Sequence, residues 1–202
     1  METKHEYGKS PLRSTPDYGE RTGSSSSVFG NGIDMVLRQM QDFEYGVMTE
    51  GGMADADGAD PEGIIVQRPK SFWKYGTGMC HDASVFVDAL LTHHHVPHRC
   101  YYISSSLPPS YKTHSFIAAE CQDGYIRVID VFSTGKCYYQ SKFTSYQNAA
   151  KWRFLQWAEE DNMGRPDKAR MYSGDRMPSG GIHLYRFIEN TESAFTREDV
   201  RE

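Results

Sequence analysis

Two β-prone runs on either side of Asp123-Gly124 constrain the fold of this chain more than any other feature. The runs cover residues 113–120 and 125–132 and are rich in Ile, Val, Phe and Tyr. An Asp-Gly pair between two such runs is a strong signal for a β-hairpin. The sequence therefore predicts an antiparallel strand pair in this region.

The length of the hairpin loop decides which side chains share a face of the sheet, because side chains alternate along a strand. A two-residue loop would place His114 and Asp130 on opposite faces. A three-residue loop, residues 122–124, makes them diagonal neighbours on one face and puts Gly124 in the left-handed conformation. A His-Asp pair on this hairpin therefore requires a loop with an odd number of residues.

Cys80 stands where a glycine-rich turn meets an amphipathic helical pattern. The turn is Tyr75-Gly-Thr-Gly-Met79. Five apolar residues then fall on one helical stripe: Ala83, Phe86, Val87, Leu90 and Leu91. We expect Cys80 in the first turn of a helix, where the helix dipole and unpaired backbone N–H groups favour a thiolate.

Cysteine chemistry needs a nucleophilic thiolate, a base, and a group that orients the base. Cys80 fits the first role, His114 the second and Asp130 the third. A buried cysteine and an isolated strand histidine are common without any catalytic role. The combination of three such residues on a helix and a hairpin nevertheless favours a catalytic triad.

These residues resemble the transglutaminase-like cysteine hydrolase superfamily, over about residues 64–135. The matching pieces are Gly78-Met-Cys80, the Val96-Pro97 turn, His114-Ser-Phe and Val128-Ile-Asp130, with spacings of 34 and 16 residues between the three candidate site residues. The resemblance implies an α+β, papain-like core, in which the helix carrying the nucleophile packs on an antiparallel β-sheet. It also implies an acyl-enzyme mechanism that needs no cofactor.

Two positions depart from the family pattern. Many eukaryotic transglutaminases have Gln-Cys-Trp at the nucleophile, whereas this chain has Met79-Cys80-His81, which weakens a crosslinking assignment. The helix usually ends in Gly, where this chain has His95. Histidine tolerates the left-handed conformation better than most residues and can occupy that position.

The remaining cysteines lack a base motif beside them. Cys100, Cys121 and Cys137 are therefore expected to be buried or surface thiols. Four cysteines without short paired spacing suggest reduced thiols, as in a cytoplasmic protein. A protein exported by a route independent of a signal peptide would have the same composition.

Charge and hydropathy limit the partners. The formal charge of −5 and the pI near 5.9 argue against nucleic acid as the main partner. No apolar run approaches ~18 residues, so we expect no membrane-spanning segment. We expect a protein or peptide substrate. The oligomeric state is not predicted by the sequence.

We expect a flexible arm at residues 1–30 and one catalytic domain at residues 31–202, with its core at about 64–189. A helix should begin near Asn31, which lies near its N-cap. It should bury Ile33, Val36, Leu37, Met40 and Phe43. Further strands are predicted at residues 64–66, 99–104, 136–140 and 180–189, and a helix at 148–161 packing through Ala149, Trp152, Phe154, Leu155 and Ala158. The charged tail from Asn190 is expected to be exposed.

Two clusters could in principle hold metal. The acidic segment 55–62 offers oxygen ligands for calcium but lacks the register of an EF-hand. His93, His94, His95 and His98 could bind nickel or zinc, although imidazoles at a helix C-terminus also cap carbonyl groups. We expect no metal and no cofactor.

The predicted activity is amide hydrolysis by an acyl-enzyme route, as in a protease or a glutamine deamidase. A protein transglutaminase is the alternative if an amine replaces water, and a non-catalytic binding module is a second alternative. The backbone N–H of Cys80 is the expected first oxyanion donor. Trp73 and Tyr75 are candidates for the second donor, or they simply pack around the nucleophile loop.

Overall fold

The computed structural model describes residues 27–56, 59–105, 112–132, 138–160 and 165–200. Within these ranges the chain has an α+β fold, as predicted. Its α-helices are α1 Asn31–Gln39, α2 Pro69–Tyr75, α3 Cys80–His93, α4 Tyr146–Glu160 and α5 Leu184–Ala194. Short 3-10 helices occupy Met40–Asp42, Pro61–Gly63 and Pro166–Lys168. None of the helices described here combines the length and the apolar character needed to cross a bilayer.

The strands form one large antiparallel sheet and two smaller ones. They are β1 Glu44–Tyr45, β2 Val47–Thr49, β3 Gly52–Ala54, β4 Ile64–Val66, β5 Thr77–Gly78, β6 His98–Ser105, β7 Lys112–Glu120, β8 Ile126–Ile129, β9 Ala169–Gly174, β10 Ile182–His183 and β11 Thr196–Glu198. The main sheet has the order β11-β9-β6-β7-β8 with every neighbour antiparallel. A second antiparallel sheet has the order β10-β4-β2-β3, and β1 pairs with β5 in parallel.

Helices cover both faces of the main sheet. Alternate residues of β6 and β7 enter two separate apolar clusters, as the pleat of a strand requires. Cys100, Tyr102, Ile117 and Ala119 pack with the apolar stripe of α3, whereas Tyr101, Ile103, Phe116 and Ala118 pack with α4. The sheet therefore separates α3 from α4. On β7, Phe116 and the residues an even number of positions from it face α4.

The β7–β8 hairpin has the three-residue loop that the sequence predicts. Cys121 pairs with Tyr125 through an N–H to O bond of 2.7 Å, and the Gly124 N–H donates to the Cys121 carbonyl at 2.9 Å. Gly124 has a φ of 78°, in the left-handed region where a Cβ atom is disfavoured. The pairing of Ile117 with Ile129 puts Phe116 opposite Asp130. His114 and Asp130 consequently lie on the same, α4-facing side.

Specific polar contacts fix both ends of α3. At the start, the Asp82 carboxylate accepts a 2.8 Å hydrogen bond from the backbone N–H of Met79, which satisfies one of the unpaired donors of the helix. At the end, His95 has a φ of 56°, and Val96 N–H donates to Leu91 O at 2.9 Å. His95 thus takes the left-handed position predicted for it.

The helix α1 begins at Asn31 as expected, and all five of its predicted core residues are buried. Its N-cap is Gly30 rather than Asn31. The Asp34 carboxylate accepts the backbone N–H groups of Val28, Phe29 and Gly30 at 2.9–3.2 Å. Phe29 is buried, so residues 27–30 belong to the folded domain and not to the arm; residues 1–26 lie outside the described ranges.

The strand predicted at residues 180–189 is wrong for most of its length. Only Ile182–His183 is extended, and α5 follows directly. The buried residues Phe187, Ile188 and Thr191 have helical spacing. The tail is not wholly exposed either, because Thr191 is fully buried and β11 pairs with β9.

The buried face of α4 agrees with the predicted one in part, since Ala149, Phe154 and Ala158 are buried as predicted. Ser145 precedes α4 and caps it, with its Oγ accepting the Asn148 N–H at 3.1 Å. The buried stripe is Ala149, Ala150, Arg153, Phe154, Trp157 and Ala158, while Leu155 is 46% exposed. Of the strand predicted at 136–140, residues 136–137 lie outside the described ranges, and Tyr138 makes an isolated bridge to Ile129.

We expect Phe187→Ala to lower the free energy of unfolding by about 3–5 kcal/mol, because the ring is fully buried and would leave a cavity. Leu155→Ala, on the exposed side of α4, should change it by less than about 0.5 kcal/mol. Urea unfolding of both variants measures this. Similar losses in the two variants would contradict the packing of α4 and α5 described above.

Candidate functional site

The three candidate triad residues meet at one end of the main sheet. Cys80 is the first residue of α3, His114 lies near the start of β7, and Asp130 directly follows β8. Cys80 and His114 both line a cleft of about 440 Å³. The other lining residues are Tyr45, Lys112, Thr113, Phe132, Arg153, Trp157 and Glu160.

His114 is held by Asp130 and lies near two aromatic rings. Its Nε2 lies 2.7 Å from Asp130 Oδ2. The imidazole is nearly parallel to Trp157, at 12° and 6.5 Å, and to Phe116, at 24° and 6.3 Å. Because Asp130 takes Nε2, Nδ1 is the nitrogen left to act on the thiol.

Arg153 is a fourth member of the site that sequence reasoning missed. Its Nε donates to the same Asp130 Oδ2 at 2.7 Å, and its Nη2 lies 3.3 Å from His114 Nε2. Glu160 Oε2 lies 3.7 Å from Nη1. The available signal was its position: Arg153 falls within the apolar stripe of α4, where an unpaired guanidinium would be very costly.

The charges of His114, Asp130 and Arg153 stabilise the ionised forms of their neighbours. Burial disfavours the ionised form of Asp130, but the neighbouring His114 and Arg153 outweigh burial and lower its pKa. Burial also disfavours imidazolium at His114, but Asp130, and then Cys80, outweigh it and raise the pKa of His114 well above its usual range. A thiolate, an imidazolium, a carboxylate and a guanidinium would together carry no net charge, which favours burial of the set.

Cys80 has the surroundings expected of an N-terminal helix residue that faces a cleft. It is close enough to His114 to contribute to the raised pKa of the imidazole. As the first residue of α3, its backbone N–H is one of the donors without an acceptor inside the helix. The thiol and a hydrogen-bond donor for a reacting oxygen therefore come from the same residue.

His81 follows Cys80 in the chain but is unsuited to serve as the base. Its Nδ1 bonds to Ser115 Oγ, and its Nε2 lies 3.0 Å from Thr113 Oγ1. Hydroxyl groups can donate or accept, so both nitrogens are satisfied with a neutral ring. Burial, followed by the charge of His114, lowers the pKa of His81 to about 3. The ring remains neutral at physiological pH and supports β7.

Asp82 anchors the turn that presents Cys80. Besides capping α3 through Met79, its other carboxylate oxygen accepts the backbone N–H of Gln67 at 2.5 Å. Burial outweighs these hydrogen bonds and raises the pKa of Asp82 to about 6. Gly78 leaves space for this arrangement, because a Cβ there would lie 2.8 Å from Asp82 Oδ2 and 2.7 Å from the Phe72 ring.

The other thiols described by the structure differ from Cys80. All three are free and buried, but Cys100 and Cys121 do not line the cleft, and burial raises the pKa of both. Cys137 lies outside the described residues. Cys100 has a separate set of neighbours, since its Sγ, an oxygen of Asp88 and a nitrogen of His98 all lie within 4.8 Å of one another.

The candidates for a second oxyanion donor do not gain support. Trp73 is buried and stacks on Phe86 at 5.4 Å and 11°. Tyr75 is 41% exposed, with Lys74 over its ring. Among the described residues that line the cleft, Tyr45 is present and neither Trp73 nor Tyr75 is. Both residues therefore fit the packing interpretation better.

Neither the known protein-family models nor the curated proteins match this chain in sequence. What the structure provides is an α+β chain with Cys, His and Asp side chains brought close together.

We expect His81→Gln to change how stability depends on pH. Below pH 6.5 an unfolded chain protonates His81, whereas the folded state keeps it neutral down to about pH 3. The wild type should therefore lose up to ~1.4 kcal/mol of stability per pH unit in this window from His81 alone. Urea unfolding between pH 3.5 and 7.5 should show the advantage of wild type over variant shrinking as pH falls. A difference independent of pH would contradict a neutral, buried His81.

Proposed function

We propose that this protein is a cysteine-dependent amide hydrolase that acts through an acyl-enzyme on a protein or peptide. In this proposal Cys80 is the nucleophile, His114 is the general base and acid, and Asp130 orients His114. The main support is the 2.7 Å contact from His114 Nε2 to Asp130, with Cys80 in the same cleft as the imidazole. The order of a helix-start cysteine, a strand histidine and a following aspartate resembles the papain-like core of the transglutaminase-like superfamily.

The chemistry would proceed in two halves. The Cys80 sulfur attacks the amide carbonyl carbon while its proton resides on His114 Nδ1. The carbonyl oxygen gains negative charge, which the Cys80 backbone N–H can stabilise. The C–N bond then breaks, and the imidazolium gives its proton to the departing amine. Water, deprotonated by His114, attacks the thioester, and the carboxylic acid product leaves as the Cys80 thiolate forms again.

Asp130 and Arg153 would act through His114 and not on the substrate. Asp130 accepts the N–H of Nε2, which keeps the other nitrogen directed at the thiol and stabilises the imidazolium. Arg153 is a positioning residue in this scheme. Its Nε holds the carboxylate oxygen that His114 uses and keeps Asp130 ionised despite full burial.

Product analysis distinguishes the possible acyl acceptors. A glutamine-containing peptide library is incubated with the protein, with and without a fluorescent primary amine. New amino termini indicate proteolysis, ammonia without chain cleavage indicates deamidation, and amine incorporation indicates a transglutaminase. Cys80→Ala serves as the control. Absence of all three products with either protein would favour a binding module.

The first test needs no substrate. In the folded protein, iodoacetamide should alkylate Cys80 well before Cys100 or Cys121, because Cys80, although only 9% exposed, lines the cleft beside His114, whereas the other two do not line it. Peptide mass mapping after a short exposure identifies the modified residue. Equal labelling of the three thiols without unfolding would count heavily against the enzyme proposal.

The second test separates the role of Asp130 in reactivity from its role in stability. Asp130→Asn should slow alkylation of Cys80 at pH 7 by at least about tenfold, because the amide cannot support an imidazolium. It should also destabilise the fold by about 3–5 kcal/mol, since Arg153 loses its carboxylate.

The double variant Asp130→Asn/Arg153→Gln is the matched control. Removing both charges should restore part of the stability, because no unpaired buried ion remains. It should not restore the alkylation rate. Recovery of the rate together with stability would assign Asp130 a structural role only.

A further inference from the structure

A second group of Cys, His and Asp side chains lies away from the cleft, between α3 and the start of β6. It consists of Asp88 on α3 and His98 and Cys100 on β6. One ligand atom from each lies within 4.8 Å of the other two. A carboxylate oxygen, an imidazole nitrogen and a cysteine sulfur are the ligand types that zinc binds in proteins.

The hydrogen bonds of His98 direct its second ring nitrogen at the Asp88 carboxylate. Its Nδ1 lies 2.8 Å from the Val96 carbonyl oxygen, so Nδ1 must carry a proton and donate. Its Nε2 lies 2.9 Å from Asp88 Oδ1. A neutral ring would then direct a lone pair from Nε2 at a carboxylate oxygen. Either a second proton or a metal ion must therefore lie between the two atoms.

The Cys100 sulfur lies within 4.8 Å of both the Asp88 oxygen and the His98 nitrogen, which favours a metal ion over a proton at this position. We propose that Asp88, His98 and Cys100 bind a Zn²⁺ ion. Asp88 and the Cys100 thiolate supply two negative charges, and His98 supplies a neutral nitrogen whose orientation is fixed by a backbone carbonyl, as is usual for metal-bound histidine.

The spacing of His98 Nε2 and Asp88 Oδ1 suits this ion. At zinc–ligand distances of ~2.0–2.2 Å, two ligand atoms 2.9 Å apart subtend roughly 90° at the metal. Opening this angle to the tetrahedral value requires a movement of about half an ångström.

The surroundings of Asp88 hold the carboxylate and provide access. Arg176 Nε lies 2.9 and 3.2 Å from the two Asp88 oxygens, and Met177 N–H donates to Oδ2 at 3.2 Å. The Arg176 side chain is 57% exposed. A cleft of about 410 Å³, lined in part by Asp88, Arg176 and Met177, leads to the carboxylate and could admit an ion with a water as fourth ligand.

This site differs from the metal sites considered from the sequence. The histidine run 93–95 does not contribute, and His98 is joined instead by residues ten positions before and two after it. The proposal departs from the expectation that the chain binds no metal. The proposed amide hydrolysis still needs none, because the zinc ligands do not line the cleft that contains Cys80. Zinc here would join α3 to β6.

Cobalt provides the test, because Co²⁺ replaces Zn²⁺ and absorbs in the near ultraviolet when a thiolate binds it. Full-length protein is treated with a chelator, dialysed and titrated with Co²⁺. We expect one equivalent to bind and the thiolate band to appear. The band should be lost in Cys100→Ser and retained in Cys80→Ser, a matched pair that distinguishes this site from the proposed catalytic thiol.

Two further measurements keep the test decisive if Cys100→Ser does not fold. His98→Gln retains all four thiols and should also lose the band. A hundredfold excess of Zn²⁺ over its Kd should raise the Tm of wild type by roughly 5–10 °C. Absence of one-equivalent binding, or a band that Cys80→Ser abolishes or that survives in both Cys100→Ser and His98→Gln, would overturn the proposal. The first of these results would assign the position between His98 and Asp88 to a proton.

Discussion

The buried Asp130 carboxylate constrains the relative positions of β7, β8 and α4. It is almost fully buried, and one of its oxygens receives both His114 Nε2 and Arg153 Nε at 2.7 Å. A buried carboxylate is tolerated only when cations and donors compensate its lost hydration. The end of β8, the start of β7 and the middle of α4 must therefore stay in fixed relative positions. Precise placement of His114 is a consequence of that requirement, as is the presence of an arginine in the apolar stripe of α4.

The part of the site carried by the hairpin could be predicted from sequence because its determinants are local. Gly124 allows the left-handed residue of a three-residue loop, and strand alternation then puts His114 and Asp130 on one face. The same holds for the start of α3, where a glycine-rich turn precedes an apolar stripe, and for its end at His95. In each case a few adjacent residues restrict the backbone enough to fix the direction of a side chain.

Other features depend on contacts between distant parts of the chain and could not be predicted in this way. Arg153 is 23 residues from Asp130 and Arg176 is 88 residues from Asp88, so neither partner could be identified by spacing. The sequence predicts a strand over residues 180–189, whereas the structure has a helix from Leu184. Burial of Phe187 and Thr191 against other elements decides in favour of the helix.

Cys80 and Cys100 each belong to a group of one Cys, one His and one Asp, but the two groups differ in burial and hydrogen bonding. Cys80 lies at a helix start beside a cleft, and Asp130 contacts Nε2 of its histidine, which leaves the other imidazole nitrogen for proton transfer. Cys100 lies within a strand and is fully buried, and both nitrogens of His98 are directed at oxygen atoms. A base must exchange its proton during a reaction, whereas a metal ligand must keep one fixed protonation state. The hydrogen bonds of His114 suit the first requirement and those of His98 suit the second, which is why we assign the two groups different roles.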